Sequence, residues 1–168
     1  PELSVFPLTD IAFDLAGNMF VSTRKQIFKL SAAHTIAPET ARFELFYRFP
    51  KEGIIGSTKL VMDRGGLLWI GTNGYGLLKY NPGNHRFYHY LAGKSPRRIV
   101  ADTQQRVWVW QAGGMFRRLL EKENQLAEPL FSDSRFLQHD CVQASDGTIW
   151  LLCEAKQIEH GKGVLIRL

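Results

Sequence analysis

A single motif recurs four times along the 168 residues, so whatever fold the chain adopts must accommodate one structural unit four times over. The clearest copy reads Asp63-Arg64-Gly65-Gly66-Leu67-Leu68-Trp69-Ile70-Gly71-Thr72, followed by Asn73-Gly74-Tyr75-Gly76 and Leu77-Leu78-Lys79-Tyr80. Earlier comes Asp14-Leu15-Ala16-Gly17-Asn18-Met19-Phe20-Val21-Ser22-Thr23, then Ile27-Phe28-Lys29-Leu30. Later come Asp102-Thr103-Gln104-Gln105-Arg106-Val107-Trp108-Val109-Trp110 and Ala144-Ser145-Asp146-Gly147-Thr148-Ile149-Trp150-Leu151-Leu152. Phe20, Trp69, Trp108 and Trp150 hold one position, separated by 49, 39 and 42 residues, a spacing that suits one propeller blade.

The residue types around that aromatic have local reasons. Three positions earlier stand Gly17, Gly66 and Gly147, with Gln105 the exception, as a tight turn that favours positive φ requires. Six positions earlier, Asp14, Asp63 and Asp102 can accept hydrogen bonds from their own turn amides; Ala144 breaks the pattern. Nine positions earlier stand Ile11, Leu60, Ile99 and Cys141, all suited to a core. In the second unit the turn residues divide the chain into strands at 57–64, 67–72, 76–81 and 86–92, an up-and-down meander. One such sheet leaves an apolar face uncovered, so blades must stack on one another. The expected fold is therefore all-β, a β-propeller of four-stranded antiparallel blades near 8–50, 57–92, 96–131 and 135–168, in one region spanning 1–168, with the repeated aromatic buried in every second strand. The segment 119–126 is the sole helix candidate, and it reads equally well as a strand end and polar turn.

The run from Asp63 to Tyr80 resembles the two-component regulator propeller repeat, roughly D-x-x-G-x-L-W-[IV]-G-T-x-x-G-L-x-[KR]-Y. The first unit keeps Asp14, Gly17, Thr23 and Lys29 but has Phe20 for Trp, and the third and fourth carry Trp110 and Leu152 where the family has Gly. The resemblance implies a periplasmic or otherwise extracytoplasmic sensor module of a hybrid two-component system, from a family whose full propellers carry seven blades and many of whose members sense oligosaccharides. WD40 repeats would show Gly-His and Trp-Asp pairs, which are absent. NHL repeats share the turn Asp14 to Asn18 but end the second strand differently. Streptogramin-lyase propellers share a Trp in this strand, yet their catalytic histidine and carboxylate have no evident counterpart. The expected function is a ligand-sensing module rather than an enzyme, with a propeller lyase or hydrolase and a pure interaction scaffold as the alternatives.

Candidate chemistry is sparse. His34, His85, His89, His139 and His160 are dispersed, and no histidine or cysteine cluster has metal-ligand spacing, so neither metal nor cofactor is expected. Trp69, Trp108 and Trp150 read as packing between blades, whereas Trp110 points to the opposite face from Val109 and could reach the channel or a neighbouring blade. Cys141 replaces a repeated aliphatic and Cys153 replaces Thr23 and Thr72; a cross-strand disulfide and two packing thiols both fit. Ligand contacts are expected from Arg24, Lys25, Lys51, Asn73, Tyr75, Lys94, Arg97, Trp110 and Gln111, together with the loop 154–162. Most of these lie in loops expected at one end of the blades, where tyrosine stacks on sugar rings and arginine forks onto carboxylate or sulfate.

The net charge of +5 is modest and scattered, which argues against a nucleic-acid partner. No run approaches the length of a membrane helix, and Pro1 to Pro7 lack the pattern of a signal peptide. The fourth unit offers only three strands, at 135–143, 148–154 and 162–168, and an orphan strand is expected at 2–6. Two readings follow: a four-blade portion of a larger propeller whose end faces drive self-association or are covered by other blades, which is favoured, or a four-blade ring closed through 2–6.

Overall fold

The structure, a computed structural model, describes residues 7–32, 35–50, 56–96, 98–111, 114–156 and 163–168. The expected orphan strand at 2–6 lies outside the described residues. Their regular elements are sixteen strands and one 3-10 turn at Pro38–Thr40.

The strands form four antiparallel sheets, arranged as four propeller blades. The first holds β1 (Leu8–Phe13), β2 (Met19–Thr23), β3 (Gln26–Leu30) and β4 (Glu44–Arg48). The second holds β5 (Ser57–Met62), β6 (Leu68–Thr72), β7 (Leu77–Asn81) and β8 (Arg86–Tyr90). The third is built on β9 (Arg98–Ala101), β10 (Val107–Gln111) and β11 (Met115–Leu120), with β12 (Gln125–Leu126) and β13 (Phe131–Ser132) both pairing with β11. The fourth has β14 (Phe136–Gln143), β15 (Ile149–Ala155) and β16 (Gly163–Arg167).

The third sheet departs from four continuous strands because Pro129 interrupts its edge, and proline has no N–H to offer the ladder. The amides of Ala127 and Leu130 still donate to Arg118 and Phe116 carbonyls at 2.9 Å, so the edge continues on either side of the break. The segment 119–126 is strand, turn and strand rather than helix.

Side chains alternate across a strand, so each blade turns one face to its predecessor and the other to its successor. Ala12, Phe20 and Ile27 of the first blade pack with Leu60, Leu68, Ile70 and Leu78 of the second. Trp69 and Leu77 pack with Ile99, Val107 and Val109 of the third. Val100, Trp110 and Phe116 pack with Cys141, Ile149, Leu151 and Cys153 of the fourth. Each fully buried aliphatic or aromatic side chain contributes roughly 1.5–3 kcal/mol, so these three seams hold the blades together.

The repeat turns explain the rest of the motif. Asp63 Oδ1 accepts the amides of Gly65 and Leu67, both at 2.9 Å, and Asp102 Oδ1 does the same for Gln104 and Arg106. The second carboxylate oxygen takes the indole: Trp69 Nε1 donates to Asp63 Oδ2 at 2.8 Å and Trp108 Nε1 to Asp102 Oδ2 at 2.9 Å. In the first blade Phe20 has no donor, and Asn18 Nδ2 occupies that oxygen of Asp14 at 2.7 Å. Burial works against ionising Asp102, but the donors Trp108, Arg106 and Gln104 outweigh it and hold the carboxyl below its ordinary range.

Two expectations need correction. The repeated aromatic is buried at Phe20 and Trp69 but only half-buried at Trp108 and Trp150. Trp150 shares the outward face of the fourth blade with Val142 and Leu165, which are 61% and 65% exposed and have no described sheet beyond them. Ile11, expected to face a core, is 51% exposed because it lies on the corresponding open face of the first blade, beside Phe13.

Candidate functional site

The residue just before each repeated core position on the innermost strand is charged in all four blades: Asp10, Lys59, Arg98 and Asp140. Lys59 Nζ lies 3.9 Å from Asp10 Oδ2 and 3.9 Å from Asp140 Oδ2, tying the second blade to both the first and the fourth. Asp10 Oδ2 also accepts the Leu60 amide at 2.7 Å, and Arg98 Nε donates to the His139 carbonyl at 2.5 Å. Register irregularities fall at one equivalent place in three blades, between Leu8 and Asp10, Ser57 and Lys59, and Gln138 and Asp140. Such bulges re-aim a side chain. These partly exposed ion pairs satisfy one another, so the ring reads as an inner-strand staple worth about 0–1 kcal/mol per pair.

A cleft between the second and third blades has a different character. It encloses about 550 Å³, walled by Leu91, Ala92 and Lys94 on one side and by Gln111, Arg117, Asn124, Gln125 and Leu126 on the other. The backbone of Lys94 is fixed, its amide donating to Leu91 and its carbonyl accepting from Gly76, both at 2.9 Å. Asn124 Oδ1 accepts the Leu91 amide at 2.8 Å and joins the two walls. Alternation along β11 turns Phe116 to the fourth blade and Arg117 to the second. Among the described residues the buried Nε of Arg117 has no hydrogen-bond partner, and its Nη2 donates to the Met115 sulfur at 3.3 Å. The nearby Glu121 carboxylate is taken by Lys79 and by Tyr90, whose hydroxyl donates at 3.2 Å. Burial works against the Lys79 ammonium, but Glu121 and Tyr90 outweigh it and raise its pKa. Among the described residues the cleft wall therefore carries two cations, three amides and two leucines, and no carboxylate.

Of the residues expected to touch ligand, Lys94 and Gln111 meet in this cleft. Arg24 and Lys25 are exposed on the turn between β2 and β3, which Thr23 Oγ1 locks by accepting the Gln26 amide at 3.0 Å. Asn73 is exposed on the equivalent turn, and Tyr75 is half-buried there, its ring stacked on His89 at 4.4 Å. Trp110 is fully buried in the seam between the third and fourth blades, packed on Phe116 and Phe131, so it reaches the neighbouring blade rather than an opening. Lys51 and Arg97 lie outside the described residues, as does most of the loop 154–162. Arg117 was not among the expected residues: aligned by motif it falls at the basic position of the repeat, whereas the register sets Arg118 opposite Trp108, as Lys79 lies opposite Trp69, and places Arg117 where the second blade has Leu78.

Both cysteines are buried and free. The register sets Cys141 opposite Leu151 and Cys153 opposite Gln138, so they are diagonal rather than paired. Burial pushes the Cys141 thiol up to about 12 and the Cys153 thiol up to about 11. Among the described residues no group of histidine, cysteine or carboxylate side chains could hold a metal ion, and no helix is long and apolar enough to cross a membrane.

No family model matches the sequence, and no curated protein matches it. Among solved structures, the extracellular domain of the putative hybrid two component system BT4673 from B. thetaiotaomicron is similar over 86% of this chain and 20% of that one, with TM-score 0.67 and 18% identity. The corresponding domain of BT3049 from the same organism is similar over 96% and 20%, with TM-score 0.64 and 18% identity. A streptogramin B lyase is similar over 100% and 56%, with TM-score 0.68 and 12% identity. The chain thus spans about a fifth of the length of the sensor chains and just over half of the lyase. Likeness at these identities shows the fold, and that fold is the β-propeller shared by two-component sensor domains and propeller lyases.

Proposed function

We propose that this chain is the ligand-sensing propeller module of an extracytoplasmic two-component signalling protein, and that its ligand is an oligosaccharide held between the second and third blades. The observation that carries the reading is the cleft, where Lys94 and Gln111, picked out by sequence, meet Arg117, Asn124 and Gln125 against the apolar Leu91 and Leu126. Amides and cations above an aliphatic floor suit a sugar, whose hydroxyls need donors and acceptors and whose C–H face needs apolar contact. The fold shared with the extracellular domains of BT4673 and BT3049 agrees with this assignment.

A lyase reading rests on the likeness to streptogramin B lyase and on one His–carboxylate pair, His139 Nε2 and Glu154 Oε2 at 3.0 Å. Both side chains are substantially exposed, which does not suit a buried general acid–base pair, so the sensor reading is preferred. Thermal shift against a panel of glycan fragments, with products followed in parallel, separates the two. Selective stabilisation without turnover supports the sensor. Turnover that disappears in His139→Ala supports the lyase.

A further inference from the structure

We infer that the ligand of this cleft is an anionic saccharide, one bearing carboxylate or sulfate, with Arg117 and Lys94 as the groups that select it. The inference rests on the saccharide-binding reading and adds the charge class. Three observations carry it.

First, the wall is electrostatically one-sided. Lys94 and Arg117 are present, and no carboxylate neutralises them within the wall. Glu121, on the turn that follows β11, is already held by Lys79 and Tyr90. Second, Arg117 is short of partners. A guanidinium has five N–H donors in a fixed fork, and here the Nε is buried with no acceptor while the Nη2 faces a thioether. A buried donor left unsatisfied costs free energy that a well-placed acceptor recovers. Carboxylate and sulfate are the acceptors whose geometry matches the fork. Third, the two cations approach from different blades. Lys94 follows β8 and Arg117 lies on β11, with Gln111 and Gln125 on the same wall as Arg117, so one anionic group and its flanking hydroxyls can be met from both sides. A neutral sugar can accept hydrogen bonds from the same donors but brings no charge to offset the two cations.

The test is a calorimetric titration of the intact chain with an oligogalacturonate and with a galactose oligomer of equal length, at low and high sodium chloride. The oligogalacturonate is expected to bind, to weaken as salt rises, and to lose at least tenfold in affinity in Arg117→Gln and in Lys94→Gln. Arg64→Gln, which removes the same charge from an exposed turn of the second blade, is expected to change affinity by less than twofold. Lys94 is exposed, so its variant keeps the test informative should Arg117→Gln fail to fold. Equal binding of the neutral oligomer, insensitive to either variant, would overturn the charge assignment and leave the saccharide reading standing. An equal loss in Arg64→Gln would reduce the effect to overall charge and overturn it too. Binding of neither oligomer, nor of a sulfated one, would overturn the inference together with the reading beneath it.

Discussion

Trp69 Nε1 donates to Asp63 Oδ2 at 2.8 Å, and this bond ties the second strand of the blade to the turn that precedes it. It recurs between Trp108 and Asp102, six residues apart in both cases, so the spacing of the motif is the reach of an indole to its own turn carboxylate. Asp63→Ala orphans a buried indole N–H and two turn amides, and should destabilise the chain by about 1–3 kcal/mol. In a Trp69→Phe background the same change should cost about 1 kcal/mol less, because no indole donor remains. Denaturant titration of the four proteins measures the coupling, and simple additivity would refute the clamp.

Gln105 sits at φ 61 where the other units have Gly17, Gly66 and Gly147 at φ 77, 78 and 90. A left-handed conformation costs a residue with a Cβ roughly 1–2 kcal/mol, against about 0.4–1 kcal/mol of unfolded-state entropy that glycine adds. Gln105→Gly should therefore stabilise by ~0.5 kcal/mol, a rise of ~1–2 °C in Tm for a chain of this size. Gly66→Ala should act in the opposite direction. A Cβ there meets nothing nearer than Leu15 Cδ1 at 4.0 Å, so its cost is conformational. Differential scanning fluorimetry reads both changes.

Cys141 and Cys153 should resist modification by a thiol reagent near pH 8 in the folded chain, since burial pushes their pKa values up to about 12 and about 11. Their sign in stability follows from the same shift. The folded state holds these protons more tightly than the unfolded state, whose thiols titrate at about 8.5, so stability falls as pH rises from there towards 11–12. Replacing both by alanine should flatten that alkaline decline, as pH-dependent urea midpoints would show.

The outer faces of the first and fourth blades expose Ile11, Phe13 and Leu45 at one end and Val142, Leu152 and Leu165 at the other. The two faces are of the complementary classes that meet at each of the three internal seams, so a second copy should dock end to end. Analytical ultracentrifugation is expected to show concentration-dependent association that Val142→Glu with Leu165→Glu abolishes. A strictly monomeric wild-type chain would contradict this.

Much of the fold was legible because the repeat carries its own local reasons: a turn carboxylate, a positive-φ position and an alternating apolar strand, readable at Asp63, Gly66 and Trp69. That Trp150 is half-buried and Ile11 exposed is not given by the motif, which describes a blade and not whether a neighbour covers it, although the count of strands pointed to open end faces. The site was legible in fragments. Lys94 and Gln111 lie on different blades, 17 residues apart with a strand and turn between, and nothing local says that they share a cleft. Arg117 was missed because a basic residue in a strand reads as a solvated edge. Trp110 was open between the channel and a neighbouring blade, because a large residue in the place of a small one can serve either; it fills the seam with the fourth blade. The charged ring of Asp10, Lys59, Arg98 and Asp140 was present in the alignment of the four copies, one position before the aliphatic residues.

As a sensing module, the chain is proposed to hold a saccharide between its second and third blades without transforming it. Hydrogen–deuterium exchange of the chain with and without a bound glycan fragment, with the glycan recovered and analysed afterwards, tests it most directly. Protection is expected in the peptides covering 91–94, 111, 117 and 124–126, with the glycan recovered intact. Protection confined to another face, or a glycan returned cleaved, would contradict it.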